Sequence, residues 1–250
     1  MNSELNKIFS CIDNTSLGGA DTQATITNLC LQSVSMQSNT VPHVAAVCVY
    51  PVFVRHAKKM LESKGIRVAS VACAFPAGQS PIEVKLHEVR YALDEGADEI
   101  DMVLSRGAFL EGKRQQCFDE IAAIKEACGN RLLKVILETG ELHHPETIYD
   151  ASMLAMEAGA DFIKTSTGKI GVGATQEAAQ MMLKAIADFH KISKKWVGFK
   201  AAGGISTPED ALIYYREAVK VYGFQNISYQ NFRIGASRLT EKLFALLMSD

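Results

Sequence analysis

The chain has 250 residues, 48% hydrophobic and 22% charged, with 26 basic against 28 acidic residues and a formal net charge of −2. This is ample apolar material for one large core, and the dispersed basic residues exclude the clustered positive surface that nucleic-acid or lipid partners require. No apolar run is long enough to span a bilayer and no charged-then-apolar leader is expected, so a cytoplasmic location is the reading.

In chain order, eight β-branched or apolar runs predict strands at Phe9–Ile12, Val44–Val49, Val68–Ala74, Glu99–Leu104, Leu132–Leu137, Asp161–Thr165, Val197–Ala201 and Phe232–Gly235. Segments of helical spacing lie between them. Ser80-Pro81-Ile82-Glu83 reads as a capping box with proline at the first helical position, and Thr207-Pro208-Glu209-Asp210 repeats that logic. Gly-Ala-Asp occurs at Gly96–Asp98 and again at Gly159–Asp161, each time between a helix and a strand, where glycine suits the left-handed turn. Strands that alternate with helices and are buried on both faces form a parallel sheet. Eight such units favour an α/β fold closed into a (β/α)8 TIM barrel, with residues 1–250 as a single domain. No Gly-x-Gly-x-x-Gly follows the first strand, which counts against a dinucleotide-binding sheet.

A barrel carries its chemistry at the carboxyl ends of its strands. Those ends present Asp13, Cys48, the Phe75-Pro76 turn, Asp101, Glu138-Thr139, Lys164, Lys200 and Ser237. Lys164 and Lys200 each end an apolar stretch, just before hydroxyl or glycine residues. Burial disfavours an ammonium and a second lysine nearby pushes the same way, so the pair points to carbonyl chemistry through a Schiff base. The structural alternatives are an ion pair of Lys164 with Asp101 or Glu138, and a Lys200 that only neutralises a carboxylate. Asp101, a single carboxylate amid Ile100, Met102 and Val103, suits general acid–base work. Lys134 has the parity of Glu138, so the two are expected to share a face, with Lys134 pairing Glu138 or Asp101.

Glycine-rich stretches follow three successive strands: Gly168-Lys169 with Gly171-Val172-Gly173, then Gly203-Gly204, then Gly235-Ala236-Ser237. Backbone N–H groups in such turns cradle anions, so a phosphorylated substrate is expected. The six histidines show no ligand spacing, and neither a metal nor another cofactor is expected. The six cysteines lack Cys-x-x-Cys spacing and read as reduced thiols. Cys48 has no histidine partner in view and reads as a wall residue.

With these residues in view, the chain closely resembles the deoxyribose-phosphate aldolase family, Schiff-base aldolases on a (β/α)8 barrel. The resemblance runs from Asp13-Asn14-Thr15-Ser16-Leu17 to Arg233-Ile234-Gly235-Ala236-Ser237. Its most specific pieces are Leu133-Lys134-Val135-Ile136-Leu137-Glu138-Thr139-Gly140-Glu141-Leu142 and the Lys164 and Lys200 runs. It implies reversible cleavage of 2-deoxy-D-ribose 5-phosphate to acetaldehyde and D-glyceraldehyde 3-phosphate, so that the partners are a sugar phosphate and small aldehydes. It further implies Lys164 as the Schiff-base lysine, Lys200 as its perturbing neighbour and Asp101 as the carboxylate of the proton relay. Thr15 and Cys48 match positions near the substrate, while Thr167, Gly168, Lys169, Gly203, Gly204 and Ser237 match the phosphate region. By analogy a homodimer is expected. Two departures stand out. Arg238 replaces the second of paired serines found in some relatives, and the chain ends at Leu247-Met248-Ser249-Asp250, where some relatives carry a tyrosine-tipped tail. A Schiff-base aldolase for a different sugar phosphate and a non-catalytic sugar-phosphate binder are the competing readings.

Overall fold

The computed structural model describes residues 2–249. Its eight strands are β1 (Ile12–Thr15), β2 (Ala46–Val49), β3 (Arg67–Ala72), β4 (Glu99–Val103), β5 (Leu132–Ile136), β6 (Phe162–Lys164), β7 (Gly198–Ala202) and β8 (Phe232–Ala236). All pair in parallel in sequence order, and β8 returns to β1 to close the barrel. Helix α1 (Asn2–Ser10) precedes the barrel. Around it lie α2 (Gln23–Ser35), α3 (Val54–Met60), α4 (Ile82–Asp94), α5 (Arg106–Leu110), α6 (Arg114–Cys128), α7 (Pro145–Glu157), α8 (Gln176–Ser193), α9 (Pro208–Tyr222) and α10 (Leu239–Ser249). The closed parallel barrel with alternating helices is the (β/α)8 architecture that the spacing of apolar runs predicts.

The two Gly-Ala-Asp repeats turn out to be equivalent fasteners. Gly96 and Gly159 both end their helices at φ +102°. Asp98 then accepts the backbone N–H of Val68 at 2.8 Å and the Lys58 ammonium at 2.9 Å. Asp161 accepts the N–H of Leu133 at 2.8 Å and the Lys125 ammonium at 2.6 Å. Each aspartate therefore satisfies a donor at the start of the preceding strand and ties a neighbouring helix to it.

Four expectations need correction. Phe9 belongs to α1 and not to the first strand, because Leu5, Ile8 and Phe9 are all buried at helical spacing. Phe9 packs on Phe244 of α10 with ring centroids 6.0 Å apart. Helix α4 has no Ser80 cap: its N-cap is Pro81, in extended backbone and without a side-chain cap bond. Strand β3 stops at Ala72, two residues early, since Cys73 and Ala74 both take left-handed backbone, at φ +64° and +58°. Glu138 does not share a face with Lys134, because β5 ends at Ile136 and Glu138 is itself left-handed at φ +58°. The Thr207 box on α9 is present as read, with Thr207 and Asp210 capping reciprocally and Pro208 in the first turn.

The barrel interior divides in two. Towards β2 and β3 it is apolar, with Leu17, Ala46, Cys48, Ala69 and Val71 packed together against Tyr50 and Phe75. Towards β4 through β8, and onto β1, it is filled by charged side chains.

Candidate active site

Alternation along each strand decides which charges enter the barrel. Glu99 and Asp101 are two apart on β4 and point the same way. Lys134, Lys164, Lys200 and Arg233 come from β5, β6, β7 and β8, and Asp13 comes from β1. Asp101 is the centre. Its Oδ1 accepts from Lys134 at 2.8 Å, while its Oδ2 accepts from both Lys164 at 2.9 Å and Lys200 at 2.8 Å. Lys200 also donates to Asp13 Oδ2 at 2.5 Å. Arg233 donates to Asp13 Oδ1 at 2.5 Å and to Glu99 Oε1 at 2.7 Å, and Lys134 reaches Glu99 Oε2 at 2.5 Å.

Room for this network depends on a glycine. A Cβ at Gly235 would lie 3.2 Å from Lys200 Cε and 3.0 Å from the Ala202 Cβ. Any other residue there would crowd the lysine stem where it extends towards Asp13 and Asp101.

The two lysines on one carboxylate oxygen are held in opposite states. Burial pushes the Lys164 ammonium below its ordinary pKa; Asp101 opposes this and the Lys200 charge reinforces it. Burial also opposes protonation of Lys200, but Asp101 and Asp13 outweigh it and hold its pKa well above the ordinary lysine value. For Asp101 itself, burial resists ionisation, and Lys134, Lys164 and Lys200 together hold it well below the usual carboxylate range. At rest the arrangement is a cation, an anion and an amine inclined to be free.

Above this floor lies a cavity of about 390 Å³. Lys164 is the member of the network that lines it. Thr15, Thr167, Gly168, Lys169, Gly203, Gly204 and Ser237 line it too, together with Arg238. Cys48 is fully buried in the apolar half of the interior and lies outside that wall, its thiol pushed upward by burial. Thr167 is occupied on one side: its hydroxyl and its N–H both donate to Glu138, the latter at 3.1 Å. This is what the left-handed turn at Glu138 accomplishes. The Lys169 ammonium donates to the Leu17 carbonyl across the cavity.

The loops after β6 and β7 touch through glycine backbone. A Cβ at Gly173 would fall 2.4 Å from the Gly203 carbonyl oxygen, and Gly203 itself has φ +90°. Helix α10 begins directly after Arg238, which with Ser237 closes this side of the wall. At the mouth, Arg106 donates to the carbonyls of Pro76 at 3.0 Å and Ala77 at 3.1 Å and pairs with Glu141, joining the loops after three consecutive strands.

Two members of the network, Glu99 and Arg233, are absent from the site residues expected from sequence, and Asp13 is expected there only as a strand-end residue. The signal is present. Glu99 is two residues from Asp101, and Arg233 interrupts the apolar run Phe232–Ile234 at the position two before Gly235. Lys134 pairs with Asp101, one of its two expected partners, and with Glu99 in place of Glu138. Among the described residues, no three His, Cys, Asp or Glu side chains converge as metal ligands do.

A parallel barrel whose cavity floor offers a depressed lysine amine, backed by a carboxylate and a second lysine, defines a Schiff-base aldolase. The model of the DeoC/LacD aldolase family matches residues 9–232, and the chain belongs to that family. It is 44% identical to the bovine protein named deoxyribose-phosphate aldolase, across 93% of this chain and 77% of that one. The human protein of the same name matches at the same identity and coverage. Among solved structures, the deoxyribose phosphate aldolase of Aeropyrum pernix, described as a unique tetramer, superposes with a TM-score of 0.78 at 27% identity, covering 98% of this chain and 92% of that one.

Proposed function

We propose that this chain, working as a single barrel domain, catalyses reversible aldol cleavage of 2-deoxy-D-ribose 5-phosphate to acetaldehyde and D-glyceraldehyde 3-phosphate, with Lys164 as the Schiff-base residue. The observation that carries the reading is Lys164 itself: a buried amine, lowered in pKa, at the floor of the cavity and 2.9 Å from a carboxylate. In the condensation direction the neutral amine adds to the carbonyl carbon of acetaldehyde, and loss of water leaves an iminium. A proton then leaves the methyl carbon, giving an enamine whose carbon attacks the aldehyde carbon of glyceraldehyde 3-phosphate. Water finally hydrolyses the new iminium and releases the sugar phosphate and the amine. Asp101 and Lys200, bonded at 2.8 Å beside the amine, are suited to receive and return the protons. Thr15 and Cys48 belong to the substrate end of the site by family correspondence, Cys48 from behind the wall.

Gly168, Lys169, Gly203, Gly204 and Ser237, with Thr167 shaping their loop, are assigned to the phosphate. Support comes from the convergence of three glycine-bearing loops with Lys169 and Arg238 on one side of the cavity. The homodimer expected by analogy and a cytoplasmic location complete the proposal. The second is supported by six free cysteines, all buried.

Borohydride reduction in the presence of acetaldehyde tests the assignment. An ethyl group on Lys164, located by peptide mapping, is the expected product. Labelling at Lys200 would reverse the two lysines, and an active, folded enzyme without any label would end the Schiff-base reading.

A further inference from the structure

The buried charges form a closed ring. Starting at Asp101, the bonds run to Lys200, Asp13, Arg233, Glu99 and Lys134 and back to Asp101, at 2.8, 2.5, 2.5, 2.7, 2.5 and 2.8 Å. Three carboxylates alternate with three cations, and every member is 0% exposed. Lys164 is attached to this ring as a branch on Asp101 and lines the cavity. With Lys164 neutral the ring is matched charge for charge. With Lys164 protonated the interior carries one cation in excess, and an unmatched buried charge is costly.

The surroundings leave that count in place. The thiols of Cys48 and Cys11 are pushed upward by burial, the latter to about 12. Glu138 is turned away to Thr167. Arg67 of β3 approaches Glu99 at 3.7 Å, but it is partly exposed and lies against the Tyr229 ring at 4.4 Å. Across the cavity, Asp21, Lys169 and Arg238 face solvent-accessible space.

We propose that Arg233 and Glu99, which contact neither the cavity nor Lys164, are positioning residues of the reaction. They hold Asp13 and Lys134 in register and fix the charge of the ring so that it is complete when the Lys164 amine is free. The inference rests on the Schiff-base role given to Lys164. It differs from the local picture, in which Lys200 alone governs its neighbour, by assigning opposite effects to two residues at the far side of the ring.

The test is the pH dependence of borohydride trapping at Lys164 in the parent, Arg233→Met, Glu99→Gln, the double variant and Arg233→Lys. Arg233→Met leaves the ring one cation short, so Lys164 keeps its proton longer and the acid limb of trapping moves alkaline by about one unit, the order expected for a buried unit charge acting across the ring at an effective dielectric constant of about 20. Glu99→Gln leaves it one anion short, so the limb moves acid. The double variant should return towards the parent, and Arg233→Lys should stay near it. A structural role alone would lower thermal stability and leave the limbs superimposed. Superimposed limbs, or single variants that move the same way, overturn the proposal. If Arg233→Met does not fold, Glu99→Gln decides by itself, since an unmoved or alkaline-shifted limb contradicts the ring. A parent that is never labelled at Lys164 defeats the Schiff-base reading, whereas a labelled parent with immovable limbs defeats only this one.

Discussion

At the scale of single residues, Lys164 and Lys200 show how little separation is needed to give one side chain type two behaviours. Both are buried and both donate to Asp101 Oδ2, but Lys200 has a second carboxylate, Asp13, and Lys164 has none. The depressed amine has a cost in stability. A lysine whose folded pKa lies below its unfolded value of about 10.4 destabilises the fold at every pH below the folded value, and the penalty disappears above the unfolded one. Lys164→Met is therefore expected to stabilise the protein near neutrality by about 1 kcal/mol, or ~2–4 °C in melting temperature. Thermal melts at pH 7 and pH 11 check this: the gain should be present at the first and absent at the second. A lower melting temperature at pH 7 would mean that Lys164 is net stabilising in its place on Asp101.

At the scale of elements, structure follows local sequence where the element itself carries the whole signal and departs from it where backbone geometry intervenes. Thr207 caps α9 because Thr207, Pro208 and Asp210 contain the whole motif. Ser80 has the same spelling, yet Pro81 is the N-cap of α4, one residue further on, which leaves the serine hydroxyl without that task. Phe9 falls within a predicted strand because a helix end and a strand start share one apolar run. Glu138 departs from its expected face because a left-handed residue breaks the two-residue alternation of a strand. Lys164, Lys200 and Asp101 are legible because each charge stands within an apolar run. Arg233 is legible in the same way, but its carboxylate partners lie on strands 134 and 220 residues away in the chain, which no local pattern reveals. The two caps can be compared directly. Thr207→Ala should cost about 1 kcal/mol, while Ser80→Ala should change stability by less than about 0.5 kcal/mol. Paired denaturant titrations measure both, and equal losses would contradict the capping assignment.

For the whole molecule, the ring sets the pH range over which the barrel is at full strength. Asp13 and Asp101 have folded pKa values below their unfolded ones: burial opposes this, but the surrounding cations prevail. Their contribution is fully present above an unfolded value of about 3.9 and is lost as the pH falls below it. Lys134 and Lys200 are raised against burial by their carboxylates, so their contribution is fully present below about 10.4 and is lost only as the pH climbs beyond. The melting temperature should accordingly be nearly flat between about pH 5 and 9 and fall steeply below about pH 4. A decline that begins near pH 6 would place the sensitivity on histidines and outside the ring.

A closed sheet has one seam where its first strand must find its last. Here the seam is the β1–β8 edge, and the ring is stitched through it: Asp13 stands on one lip and Arg233 on the other. Until that edge shuts, Lys200 has Asp101 but not Asp13, and Glu99 has Lys134 but not Arg233. The ring is thus complete only when this edge is shut, and a barrel left ajar there is a chain with nearly all of its structure and a broken circuit of charge.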